Sequence, residues 1–150
     1  MLIRLLPNTN GKQPSQIVIF WETIKFACQK ADVIHIENYQ VYFNELLHAL
    51  LSDKAQCFVR IDDKRIIIGI LITRITGNKV TGEKSLRLQS AYSFRSESQE
   101  IWAEDFKTIL DIAKERDCKK ITFETSNDKI ASLGESVGCK EISRMYEYVI

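Results

Sequence analysis

The chain has 150 residues, 45% of them hydrophobic and 27% charged, and 21 Lys and Arg against 20 Asp and Glu leave a formal net charge of +1. That length suits one domain, residues 1–150, able to bury about two thirds of its unfolded-chain surface and so to hold a core without metal or disulfide staples. The composition excludes a disordered or fibrous chain, and the near-zero charge gives no overall electrostatic footprint for nucleic acid or an anionic membrane.

In chain order, residues 2–6 (LIRLL) read as a short strand ended by Pro7. No apolar stretch of signal-peptide form precedes it, which sets the expectation of a cytoplasmic protein. Asn10-Gly11 is a turn signal. Ile17, Phe20, Trp21, Ile24 and Cys28 recur at helical spacing and predict one amphipathic helix over about 15–31. Residues 33–36 are ambiguous between helix and strand. Tyr39, Tyr42, Phe43, Leu46, Leu47, Leu50 and Leu51 predict a second helix over about 38–52. A strand at 56–61, a tight turn at 62–64 and a long β-branched strand at 65–75 follow. The last is too apolar for a sheet edge and is expected to be central. Gly77, Asn78 and Gly82 mark a hairpin loop, and 85–94 alternates as a third strand, with Leu86, Leu88, Ser90, Tyr92 and Phe94 on one face.

The period then returns to that of a helix. Ile101, Trp102, Phe106, Ile109, Leu110 and Ala113 form a stripe over about 98–117, with Ser96 and Gln99 in the form of a capping box. Residues 120–125 (KITFET) read as a strand, 127–137 as a short helix ended by Gly138, and 139–150 as a final strand with an aromatic tail. The longest apolar runs, 17–21 and 66–72, fall far short of the ~20 residues of a membrane span. Cys28, Cys57, Cys118 and Cys139 show no C-x-x-C spacing, so no metal site is expected, and they read as small buried hydrophobes in a reducing compartment.

The resulting order, β-α-α-β-β-β-α-β-α-β, predicts a single α/β domain with a central mixed sheet flanked by helices on both faces. This order resembles the GNAT N-acetyltransferase family, most strongly from about residue 55 onward. The strand KITFETS leads into Asn127, Ala131, Leu133 and Gly138, as Asn-x-x-x-Ala-x-Leu-x-x-x-x-Gly, which is similar to a pattern of that family before its last strand. The resemblance implies an acetyl-CoA site at the end of strand 85–94. Arg95 and the amides of 95–99, Ser98 and Gln99 among them, would hold the phosphates. The backbone of Tyr92, Ser93 and Phe94 would pair with the pantetheine arm, and Asn127 would lie close by.

The chain departs from the family at that place. Where active members carry a Gln/Arg-x-x-Gly-x-Gly/Ala loop, this sequence reads Arg95-Ser96-Glu97-Ser98-Gln99-Glu100. Glycines let backbone amides approach a pyrophosphate, and a helix N-terminus supplies positive potential. Here Ser98 and Glu100 stand at the small-residue positions, and acids in a first turn occupy that potential themselves. None of the six glycines falls between Gly82 and Gly134. The tyrosine that many members use to protonate the leaving thiolate is also absent, because Gly134 follows Leu133.

Amine acetylation needs a group that takes a proton from the amine. Glu124, late in strand 120–125, is the candidate for that base, and its competing reading is a solvated strand carboxylate. His35 and His48 have no acid at triad spacing. Trp21 and Trp102 read as core. Arg60, Arg65 and Arg74 read as edge or solvent-side charges and do not make a nucleic-acid groove. Tyr146 and Tyr148 on the alternating tail suggest a protein contact or self-association.

Two functions are therefore expected from the resemblance. One is a non-catalytic member that uses the scaffold for protein contacts, similar to small ones carried by tailed bacteriophages and associated with the virion or its assembly. The other is acetyl-CoA-dependent transfer to a small primary amine by direct attack.

Overall fold

The structure, a computed structural model, describes residues 1–8, 11, 13–32 and 34–150. Asn10 of the expected turn and Val33 of the ambiguous connector lie outside the described residues. Five strands form one sheet in chain order: β1 (Leu2–Leu5), β2 (Ala55–Ile61), β3 (Ile67–Gly77), β4 (Lys84–Ser93) and β5 (Lys120–Phe123). Every neighbouring pair is antiparallel except β4 with β5, which are joined through a helix and run parallel. The mixed sheet is thus as expected, and β3 is central.

Among the described residues five helices accompany it: α1 (Gln16–Ile19), α2 (Trp21–Ala31), α3 (Tyr39–Leu51), α4 (Gln99–Glu115) and α5 (Asp128–Ser136), with a 3-10 turn at Ile36–Asn38. The single helix expected over 15–31 is broken at Phe20, whose ψ of 12° leaves the helical well. The break lets Ile17 be buried while Val18 and Ile19 stay exposed. α2 and α3 pack on one face through Ile24, Cys28, Phe43, Leu46 and Leu50, against Cys57, Val59, Ile70 and Ile72. α4 packs on the other through Ile109 and Ala113, against Phe58, Leu71, Leu86 and Leu88. α5 lies close to β5: a Cβ on Gly134 would meet the Phe123 ring at 2.4 Å, so only glycine lets the helix approach this near without a shift.

β4 does not keep one face. Ile72 pairs with Ser90 but Thr73 with Leu88, so Gln89 is an extra residue in the ladder. A bulge of one residue moves every later side chain to the opposite face. Leu86 and Leu88 therefore face α4, whereas Tyr92 packs in the α2–α3 cluster and Phe94 stacks on Phe26 of α2 at 6.0 Å. The expected common face for Leu86 through Phe94 is corrected accordingly.

Two further expectations are corrected. Residues 139–150 join no ladder of the sheet and are almost wholly exposed, because an alternating pattern makes a strand only where a neighbouring backbone accepts it. Arg60 is not a solvent-side charge: it is 7% exposed, on the face that α4 covers. Arg65 sits exposed in the β2–β3 turn, and Arg74 forms a two-pronged ion pair with Glu45 of α3.

Candidate functional site

The site to which the sequence points lies where β4 ends and α4 begins. β5 pairs with β4 only as far as Leu88 with Phe123, and β4 runs on through residues 89–93 without a strand on that side. The sheet therefore opens there, beside the bulge. Tyr92 and Phe94 turn toward α2 and meet edge to face at 5.2 Å, with Phe26 completing the aromatic group. Ser93 donates its hydroxyl to the Arg95 carbonyl at 2.5 Å, which tightens the exit from the strand.

The helix start is made differently from the expected capping box. Ser98, not Ser96, is the N-cap, and its hydroxyl oxygen accepts from the Ile101 amide at 3.4 Å. Gln99 is the first helical residue. Glu100 sits exposed in the first turn, where its own backbone amide, then the Ser98 hydroxyl, hold its carboxyl below the usual range. The Ile101 amide thus already has an acceptor supplied by the chain.

Glu97 turns inward toward Arg60 at 3.3 Å. The same guanidinium donates to Asp105 at 2.7 Å and to the Ile101 carbonyl at 3.1 Å. Burial works against the Arg60 charge, but Asp105 and Glu97 outweigh it and raise its pKa. One buried cation is thus shared by Glu97, just before the helix, and Asp105, in its second turn, while Glu100 stands as an exposed acid in the first turn. Arg95 points to Asp62 at 3.5 Å and is more than half exposed. Asn127 caps α5, its side-chain oxygen accepting from Lys129 and Ile130. Glu124, the residue after β5, lies at 3.4 Å from Arg87, with its side chain 65% exposed.

A second polar group is absent from the sequence reading. Asp32, just past α2, accepts from the Tyr42 hydroxyl at 2.5 Å and from the Ser90 hydroxyl at 2.6 Å. Gln89, the bulge residue, lies 3.4 Å from the Tyr42 hydroxyl and accepts from Arg74. The bulge aims Ser90 at Asp32, and an unbroken alternation would have aimed it at α4. Burial, followed by the Asp32 hydrogen bond, raises the Tyr42 pKa. Asp32→Ala strips both hydroxyls of their acceptor, and Ser90 is only 6% exposed. It is expected to cost about 1–3 kcal/mol, read as a lower urea midpoint at unchanged m-value.

Cys28 borders this group, and burial, then Asp32, push its thiol up to about 12. A thiol whose folded pKa lies above its unfolded value of about 8.5 stabilises the protein fully below that value. The contribution is lost as pH rises toward 12, at roughly 1.4 kcal/mol per pH unit. Unfolding midpoints measured across that window are expected to fall more steeply for the native chain than for Cys28→Ala.

Cavities also lie elsewhere among the described residues. One of about 320 Å³ sits between α2 and α3 beside Trp21, Lys25, Tyr39 and Phe43, and one of about 200 Å³ sits under α4 beside Phe58, Ile112 and Arg116. Among the described residues no group of three or more His, Cys, Asp or Glu could hold a metal ion, and no helix is long and apolar enough to cross a membrane.

No family model matches the chain, and no curated protein matches it significantly. Solved structures do. An aminoglycoside N-acetyltransferase in complex with CoA superposes with a TM-score of 0.68 at 16% identity, over 100% of this chain and 93% of that one. A ribosomal-protein-alanine N-acetyltransferase from Brucella melitensis gives 0.67 at 15% identity, over 100% and 99%. An aminoglycoside antibiotic 6'-N-acetyltransferase from Acinetobacter baumannii gives 0.69 at 13%, over 100% and 97%. At such identities the likeness is one of fold.

Proposed function

We propose that this chain, which has the fold of the GNAT acetyltransferases, does not bind coenzyme A and acts through protein contacts made on its scaffold. One observation carries the reading: at the positive end of α4, where a pyrophosphate would sit, Ser98 already accepts from the Ile101 amide and the acids Glu97 and Glu100 flank the first turn. An incoming pyrophosphate meets acids at the start of α4 and an arginine, Arg95, that faces Asp62. The residues present do not fit the cofactor. Unfolding temperature tests the reading. A ligand at a hundred times its Kd adds about 2.7 kcal/mol of stability, so millimolar coenzyme A is expected to leave the transition unmoved.

A second reading, transfer of an acetyl group to a primary amine, is favoured by the unpaired stretch of β4 at residues 89–93, which leaves backbone groups open to an extended ligand. A rise in unfolding temperature with acetyl-CoA would favour it. Within the first reading, the resemblance to phage-borne members suggests assembly contacts, and looking for the chain in purified particles tests that role.

A further inference from the structure

The cavity under α4 is built unlike an ordinary packing gap. It has a volume of about 200 Å³ and lies at the C-terminal end of the helix. Phe58 of β2, Ile75 of β3, Leu86 of β4 and Ile112 of α4 give it apolar walls, and Phe58 and Leu86 are fully buried. Three charged residues also line it: Arg4 of β1, Arg116 just past α4, and Glu115, which is exposed.

The arginines are only partly used. Arg4 donates from its Nη2 to Asp53, and the Arg116 Nη2 faces the same carboxylate at 3.5 Å, so one acid serves two cations. A guanidinium carries five N–H donors, and the Arg4 Nε is buried with no hydrogen-bond partner. A buried donor without an acceptor is costly. Water is a poor filling for this space, because a buried water needs about two to four polar partners. The apolar walls offer none, and Gln56, the remaining polar wall, is already engaged. Its amide donates to the Asp53 carbonyl at 2.9 Å and its oxygen accepts from Thr73 at 3.0 Å. The end of α4 does not stand against an anion either. The Ile112, Ala113 and Lys114 carbonyls accept from the amides of Arg116, Cys118 and Asp117, and Arg116 places a cation beside them.

We propose that this cavity binds a short linear monocarboxylate, its carboxylate held between Arg4 and Arg116 and its hydrocarbon tail lying on Phe58, Ile75, Leu86 and Ile112. The carboxylate gives the Arg4 Nε the acceptor it lacks, and a planar carboxylate matches the guanidinium fork. The tail covers apolar walls that water cannot satisfy. Size sets the length of the tail. An apolar cavity of about 150 Å³ takes benzene, so one of about 200 Å³ takes about eight non-hydrogen atoms, the count in hexanoate. The site lies about 25 Å along α4 from Ser98. It therefore stands or falls apart from the coenzyme A reading.

Isothermal titration of the full chain with sodium hexanoate, with amide NMR on the same samples, tests it. Saturable binding is expected, with shifts gathered at residues 4, 58, 75, 86 and 112. Hexanamide keeps the tail without the charge, and acetate and inorganic phosphate keep the charge without the tail. Each is expected to bind more weakly by roughly tenfold or more. Arg4→Gln is expected to lose roughly tenfold or more in hexanoate affinity with native circular dichroism, since its ion pair with Asp53 is partly exposed. No saturable binding at millimolar hexanoate overturns the proposal. So does a native affinity in Arg4→Gln. Acetate or phosphate that binds as tightly as hexanoate also overturns it, by leaving two surface arginines and no cavity site. Shifts gathered away from α4 overturn it in the same way.

Discussion

Arg60→Ala is expected to destabilise the fold by about 3–5 kcal/mol, the cost of removing one partner from a buried ion pair. The Arg60 side chain is 8% exposed, and the Glu97 and Asp105 side chains facing it are 17% and 18% exposed. Alanine leaves both carboxylates without their cation and the Ile101 carbonyl without a donor. Chemical denaturation reads the loss as a drop in midpoint at unchanged m-value. A drop below about 1 kcal/mol would mean that the three-residue group is not a structural tie between β2 and α4.

Glu97→Gly combined with Glu100→Gly is expected to raise affinity for coenzyme A at least tenfold over the native chain, a change of about 1.4 kcal/mol. The substitutions remove one acid from the Arg60 group and the exposed acid of the first turn. Glycine also removes the side chains that stand between the backbone and an approaching phosphate. Isothermal titration of the double variant beside the native chain makes the comparison. Equal affinities would show that these acids are not what closes the site.

The sequence made the order of elements legible because long runs with a clean period carry it: the β-branched stretch of β3 and the helical stripe of α4 each had one reading. Glu97 and Glu100 could also be seen from the sequence as acids at a helix start. What could not be seen was where each carboxylate turns. Glu97 faces inward to an arginine 37 positions earlier in the chain, and that burial made Arg60 a structural cation where alternation had suggested a surface one. Local patterns do not encode such a pairing. The Gln89 bulge was equally hidden, since an extra residue in a ladder leaves an alternating pattern intact while moving Ser90, Tyr92 and Phe94 to the other face. For that reason the group of Asp32, Tyr42 and Ser90 carried no sequence signal: three residues from three elements meet only once the bulge has placed Ser90. For the tail the local pattern points the other way: its residues suit a strand, but it joins no ladder of the sheet.

On the proposed function, the chain's own acids stand where an anion would bind at the start of α4. Isothermal titration of the native protein with coenzyme A, carried to millimolar ligand, tests it most directly, with the Arg95→Ala variant run in parallel. The expected result is no saturable binding in either. Micromolar binding by the native chain that is lost in Arg95→Ala would overturn the proposed function, because it would require a phosphate-bound Arg95 and a helix start open to the cofactor.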